Sequence, residues 1–142
     1  MIAIGCDHGG FELKQDIIKH LESKGYKFKD FGCDDNSPCD YPDHARAVCK
    51  AILAGEFEKG ILICGTGIGI SIAANRMKGI RAALCSDCFS AEATRLHNDA
   101  NVLALGGRVV GKGHALKIVD IFLETEFSGE ERHQRRIDQI EG

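Results

Sequence analysis

Residues 60–64, Gly-Ile-Leu-Ile-Cys, are apolar from end to end and run directly into Gly65-Thr66-Gly67-Ile68-Gly69. A strand with one face in water alternates apolar and polar residues, whereas a strand apolar at every position must be covered on both faces. Such a strand belongs inside a parallel sheet, and the glycines behind it permit the tight turn into the helix that a parallel connection needs. The rest of the chain repeats this arrangement. Residues 1–6 are apolar and end at Asp7-His8-Gly9-Gly10. Residues 11–24 place Leu13, Ile17, Ile18 and Leu21 on one helical face, and Gly25 stops the helix. Residues 26–31 alternate and predict a second strand; the turn-rich stretch 32–42 leads to a helix through about Ala54, closed by Gly55. After the glycine loop a helix is expected to about Met77, then strands over 80–85 and 102–105 with helices over 89–96 and 113–123. The expected fold is α/β, with a parallel sheet covered by helices on both faces. Residues 128–142 differ: they are too polar to bury and predict either a helix projecting from the sheet or a solvated tail.

Composition narrows the function. A chain of 142 residues suits one domain, here taken as 1–142, and its 44% apolar content supports an ordinary core. The net charge of −3 gives no reason to expect a nucleic-acid or anionic-membrane partner. No basic leader precedes an apolar run, and no stretch approaches the ~20 apolar residues of a membrane span. A soluble, cytoplasmic protein is expected. The seven cysteines are odd in number, and Cys6, Cys64 and Cys85 sit in apolar runs, which suits small buried hydrophobes in a reducing compartment. Cys85-Ser86-Asp87-Cys88 has redox or zinc-pair spacing, but zinc wants a matching second pair, and neither Cys33 and Cys39 nor Cys49 supplies one. No metal is expected.

Ligands of open parallel sheets bind beyond the carboxyl ends of the strands. Three clusters are assigned to that edge: Asp7-His8-Gly9-Gly10, Cys64 with the glycine loop, and His97-Asn98-Asp99 after the fourth helix. Gly65, Gly67 and Gly69 let a loop present backbone N–H groups at a helix start, so the loop by itself points to a phosphate there. A dinucleotide site is a poor match, because the spacing is G-x-G-x-G and no room remains for a substrate domain, although Asp87 stands where a ribose-binding acid would. A Walker loop is excluded by the missing Gly-Lys-Ser/Thr. Cys64, directly before the amides, is placed to act as nucleophile or base. His8 and His97 fall in polar turns. Arg132 and Arg136, spaced i, i+4, share a helix face and could clamp a phosphate.

Asp7-His8-Gly9-Gly10, Tyr41-Pro42-Asp43-His44-Ala45, Cys64-Gly65-Thr66-Gly67-Ile68-Gly69, His97-Asn98-Asp99-Ala100-Asn101 and Arg132-His133-Gln134-Arg135-Arg136 together closely resemble ribose-5-phosphate isomerase of the B type, a family that also holds the galactose-6-phosphate isomerase subunits. The match covers essentially the whole chain, in order. The resemblance implies a three-layer αβα Rossmann-like sandwich with a five-stranded parallel sheet and a projecting C-terminal helix. It implies cofactor-free, metal-free interconversion of ribose 5-phosphate and ribulose 5-phosphate through a cis-enediolate, as in the pentose phosphate pathway. It also implies a homodimer or dimer of dimers whose active sites are shared between subunits.

By position, Cys64 matches the base that moves a proton between C2 and C1, Thr66 the hydroxyl serving O1 and O2, and His97 the ring opener, with Asp7 nearby. Tyr41 and Asn98 match substrate-hydroxyl contacts. His8, Arg132 and Arg136 match phosphate ligands, with Arg108 as a further candidate. Gly65, Gly67, Ile68 and Gly69 then face the enediolate rather than the phosphate, acting as an oxyanion hole. Three rivals remain: a hexose 6-phosphate isomerase of the same family (allose or galactose 6-phosphate), a non-catalytic sugar-phosphate or nucleotide-binding module, and a thiol-redox protein using Cys85 and Cys88.

Overall fold

A computed structural model describes residues 1–142. Its strands are β1 (Ile2–Cys6), β2 (Phe28–Asp30), β3 (Lys59–Cys64), β4 (Ala82–Leu84) and β5 (Val102–Gly106). They form one sheet in the order β2-β1-β3-β5-β4, and every neighbouring pair is parallel. The helices are α1 (Phe11–Ser23), α2 (Tyr41–Leu53), α3 (Ile68–Asn75), α4 (Cys88–Asn98), α5 (Lys112–Glu124) and α6 (Glu131–Glu141), and a short 3₁₀ turn covers His8–Gly10.

The three central strands are buried at every position apart from the first residue of β3, as their unbroken apolar runs require. Successive side chains leave opposite faces. Ile2, Ile4, Ile61, Ile63, Leu103 and Leu105 pack with Leu13 and Ile17 of α1 and Ile118 and Phe122 of α5. Ala3, Leu62, Cys64 and Ala104 face the other way, toward Val48 and Ile52 of α2 and Ile70 and Ala74 of α3. Each fully buried Leu, Ile or Phe contributes about 1.5–3 kcal/mol of transfer free energy, so the two layers hold the sheet from both sides. The edge strands β2 and β4 are shorter than the sequence pattern predicts, because each lacks a neighbour on one side and is only partly covered. No helix is long and apolar enough to cross a membrane.

One polar group is sealed in. Lys14 is fully buried, and its ammonium donates to Asp30 Oδ1 at 2.8 Å and to the Cys33 carbonyl at 2.6 Å. A buried charge persists only when paired and hydrogen-bonded, and here the pair ties α1 to the end of β2.

The C-terminal helix does not project free of its own chain. His133 and Ile137, one turn apart, are buried, and α6 packs on α4. Its end is fixed by Glu141, which accepts from Arg81 Nη1 and from Gly79 N, both at 2.9 Å. Two inward positions suffice to dock a helix whose remaining faces are charged.

Candidate active site

Strand order reverses between β1 and β3, so the connections leaving these neighbours diverge and open a crevice at their carboxyl ends. Asp7 follows β1, and Cys64 ends β3. The buried Asp7 carboxylate accepts from Gly9 N at 2.9 Å and Gly10 N at 3.2 Å through Oδ1, which caps the 3₁₀ turn. His8 at the head of that turn is exposed, and its Nδ1 accepts from Cys39 N at 3.3 Å.

The glycine loop is built around Cys64. Gly67 has φ +79°, a left-handed conformation that turns its amide back, so that Gly67 N donates to Cys64 Sγ at 3.1 Å. Thr66 is exposed, and its Oγ1 accepts from Ile68 N at 3.1 Å. The turn after β5 fastens the loop from the other side: Gly107 N donates to the Cys64 carbonyl at 2.8 Å and Arg108 N to the Gly65 carbonyl at 2.9 Å. A Cβ on Gly65 would stand 3.2 Å from Arg108 Nη1, so the Arg108 guanidinium lies over the loop. A Cβ on Gly69 would stand 2.7 Å from the Tyr41 ring, so only glycine lets that ring rest on the start of α3. Asp7, His8, Cys39 and Tyr41 contribute to the wall of an open cleft of about 570 Å³.

The other predicted residues are elsewhere. His97 and Asn98 do not join the carboxyl edge, and His97 is in the last turn of α4 rather than in a polar loop. The reason is topological: α4 starts beyond the carboxyl end of β4 and must return to the amino edge before β5 can begin. Hydrogen bonds place it there. Arg81, immediately before β4, donates from Nε to the Asn98 carbonyl at 2.8 Å, and Gly60 N donates to the Asn101 carbonyl at 2.9 Å. Cys64 is four residues further along β3 than Gly60, roughly 13 Å at the usual rise. Arg132 and Arg136 are exposed on α6 at this same end, and Arg132 Nε donates to Glu130 at 2.8 Å. His97 stacks on buried His133 with ring centroids 4.5 Å apart, and His133 Nδ1 is 2.8 Å from Ser128 Oγ. Burial, then the neighbouring His97 and Arg132, hold the His133 imidazole below its ordinary pKa. An open pocket of about 600 Å³ is at this end, lined in part by Arg76, Arg81, Asn98 and Glu141.

Thus Asp7, His8, Tyr41, Cys64, Gly65, Thr66, Gly67, Ile68, Gly69 and Arg108 gather at one edge of the sheet, while His97, Asn98, Arg132 and Arg136 gather at the other. A single chain does not bring the two groups together.

The cysteines also sort themselves. Burial pushes the Cys85 thiol up to about 11, with the Asp87 charge adding to it, which is the reverse of what a redox dithiol needs. Asp87 is a helix cap, accepting from Ser90 N at 3.1 Å through Oδ2. Sequence reasoning missed a convergence: the ligand atoms of Cys33, Cys39 and His44 all fall within 4.8 Å of one another. Its only trace in the sequence is a Cys-x5-Cys-x4-His spacing.

A thiol wrapped by a glycine loop at the switch point of a parallel αβα sandwich defines a small-molecule α/β enzyme, with Asp87 spent as a helix cap rather than free for a nucleotide ribose. The chain belongs to the ribose/galactose isomerase family, whose sequence model matches residues 2–140. It is 51% identical over 139 residues to ribose-5-phosphate isomerase B of Escherichia coli, covering 98% of this chain and 93% of that one. Among solved structures it is similar to ribose-5-phosphate isomerase B of Clostridium thermocellum, with TM-score 0.97 and 52% identity over 99% of this chain and 94% of that one. The corresponding values for the ribose 5-phosphate isomerase of Thermotoga maritima are 0.96 and 50%, over 99% and 96%.

Proposed function

We propose that the protein interconverts ribose 5-phosphate and ribulose 5-phosphate, as a cofactor-independent aldose–ketose isomerase. The observation that carries this reading is the Cys64 thiol held 3.1 Å from an inward-turned loop amide, at the crevice where β1 and β3 diverge. In the direction of ketose formation, the Cys64 thiolate takes the proton from C2, the C2–H electron pair becomes the C1–C2 double bond of an enediolate, and the thiol returns the proton to C1. Thr66 passes a proton between O1 and O2. The loop amides of Gly65, Gly67, Ile68 and Gly69 serve the enediolate oxygens, those of Gly67 and Ile68 by exchanging their present acceptors, Cys64 Sγ and Thr66 Oγ1, for substrate oxygen; an amide aimed at developing charge is worth about 3 kcal/mol. Tyr41 and Asn98 hold sugar hydroxyls, and His97 opens the furanose ring, with Asp7 supporting the turn that carries His8. His8, Arg108, Arg132 and Arg136 bind the phosphate, whose binding energy positions C1 and C2.

A complete site then takes Cys64 from one chain and His97 from another. A homodimer with two shared sites follows, because an isologous pair supplies both halves twice. The surface around the loop supports this: Ile68, Leu84 and Val109 line one shallow pocket beside Thr66 and are exposed, Phe89 at the start of α4 is 79% exposed, and exposed apolar side chains grouped this way mark an interface. The chain acts as one domain, 1–142, in the cytoplasm, where its seven free thiols persist.

The test is conversion of ribose 5-phosphate by purified protein in EDTA, with allose 6-phosphate as second substrate. Pentose turnover that Cys64→Ala abolishes is expected. Turnover of the hexose alone would keep the mechanism and overturn the substrate; turnover of neither would favour a binding module.

A further inference from the structure

The loop between β2 and α2 brings together three groups that the isomerase chemistry does not use. Cys33 is buried, Cys39 and His44 are half-buried, and their ligand atoms are mutually within 4.8 Å. Cys33 stands three residues past the edge strand β2, Cys39 on the wall of the cleft beside Asp7 and His8, and His44 in the first turn of α2. We propose that Cys33, Cys39 and His44 form a site for one thiophilic divalent cation, Zn²⁺ by class, with its fourth position open toward the cleft.

The ligand set and its spacing both fit. Zinc takes thiolate at about 2.3 Å and imidazole at about 2.0–2.1 Å, so tetrahedral ligand atoms stand roughly 3.5–3.8 Å apart. Atoms already within 4.8 Å need to close by only about 1 Å, a rotamer adjustment on a loop. Three protein ligands with one free position is the arrangement of an accessible zinc rather than of a closed structural one. The outer contacts fit as well. His44 Nδ1 is 3.4 Å from the Phe31 carbonyl, so a ring that donates there leaves Nε2 free as the ligand. Cys33 Sγ donates to the Asp35 carbonyl at 3.0 Å, a contact that marks how a thiol is oriented before a metal replaces its proton.

Charge favours a cation at this spot. Asp34, Asp35 and Asp40 lie in the loop itself; Asp43 is paired with Arg46, and the buried ammonium of Lys14 is spent on Asp30 and the Cys33 carbonyl rather than on a thiol. A disulfide between Cys33 and Cys39 would use two of the three groups and leave His44 without a part. Occupancy joins the end of β2 to the start of α2, and so fixes the backbone that carries the Cys39 N–H to His8 and the Tyr41 ring. The site stands apart from the isomerase reading: the reaction needs no metal, and the ligands are not the catalytic groups.

The experiment uses the reduced full-length protein, stripped with EDTA and desalted, and titrated with Co²⁺ and then Zn²⁺. One Co²⁺ per chain with thiolate-to-metal charge-transfer absorption is expected, displaced by Zn²⁺. The absorption should vanish in Cys39→Ser, lose intensity and shift in His44→Ala, and be unchanged in Cys88→Ser. In the wild type, Zn²⁺ should protect Cys39 from alkylation mapped by peptide mass, and leave Cys88 labelling unaltered; this arm does not depend on any variant folding. Absence of Co²⁺ absorption, its persistence in Cys39→Ser, or a Cys33–Cys39 disulfide forming under mild oxidation in protein that binds no metal would each overturn the proposal.

Discussion

The two ends of the sheet are made in different ways. At the carboxyl edge, function is assigned to backbone: amides of a loop that hydrogen bonds from Gly67, Gly107 and Arg108 hold in place, around a thiol that is 4% exposed. At the amino edge it is assigned to exposed side chains, His97, Asn98, Arg132 and Arg136, standing on the ends of packed helices. The first arrangement suits a group that must meet developing charge without reorganising. The second suits groups that reach across to something outside their own chain. One chain therefore carries two unlike groups of candidate residues at opposite ends of the sheet, and the proposed homodimer would give each its counterpart.

The largest effect should come from breaking each half in turn. On the proposed mechanism, Cys64→Ala should lower kcat by 10³-fold or more, and His97→Ala should cost about 10²–10³-fold on ring-form substrate, in line with the usual worth of positioned acids and bases. The sharper form is to mix the two. If sites are shared across a two-fold axis, refolding equal amounts of both inactive variants together should restore about a quarter of wild-type activity, since half the dimers carry one intact site of two. Each chain holding its own complete site predicts no recovery, and that result would end the two-halves reading.

Next is Arg136→Ala, which removes a proposed phosphate ligand from an exposed position. KM for the sugar phosphate should rise about 10–100-fold, the worth of one charge-assisted hydrogen bond, with kcat and thermal stability little changed. An equal loss of Tm would mean that Arg136 serves the fold instead. Gly67→Ala asks the same of the opposite half, with the reverse expectation. The residue needs φ +79°, and its Cβ would come within 2.5 Å of Leu84 Cδ1 and 2.8 Å of the Leu105 carbonyl carbon. Stability should fall by about 2 kcal/mol, several degrees in Tm, along with activity. A variant as stable as wild type would show that the loop is not rigid.

Much of this division was legible in the chain. The unbroken apolar runs of β1, β3 and β5 announced strands covered on both faces, and the glycine spacing after Cys64 announced the loop. The edges read less well: β2 and β4 carry apolar residues beyond their paired length, because pairing stops where a neighbour is missing, not where hydrophobicity stops. His97 was assigned to the wrong edge although the rule was available, since a helix that follows a strand in a parallel sheet ends where the next strand begins. The docking of α6 buries only His133 and Ile137, too few positions to stand out among the helix's eight other charged or polar residues in a sequence pattern. The meeting of Cys33, Cys39 and His44 depends on the path of an irregular loop, which no periodicity encodes.

The smallest effect bears on the contact that joins the two helices of the amino-edge half. His133 is buried between α4 and α6, faced by His97, Arg132, Arg136 and Glu130, and its imidazole titrates below the ordinary value for burial first and the cationic neighbours next. The unfolded chain therefore binds a proton at about pH 6.5 that the folded chain resists. Between that value and the lowered one the unfolded state holds more protons, so stability rises with pH across the window and is lost as pH falls below about 6.5. Melting curves from pH 8 to 5 should show the decline in wild type and a shallower one in His133→Asn, which keeps a polar group near Ser128 but cannot gain a proton. The loop half supplies the control: Cys64→Ala should leave the slope untouched. Parallel slopes in wild type and His133→Asn would move the acid sensitivity elsewhere and leave α6 held by Ile137 and by the pair of Glu141 with Arg81 before β4.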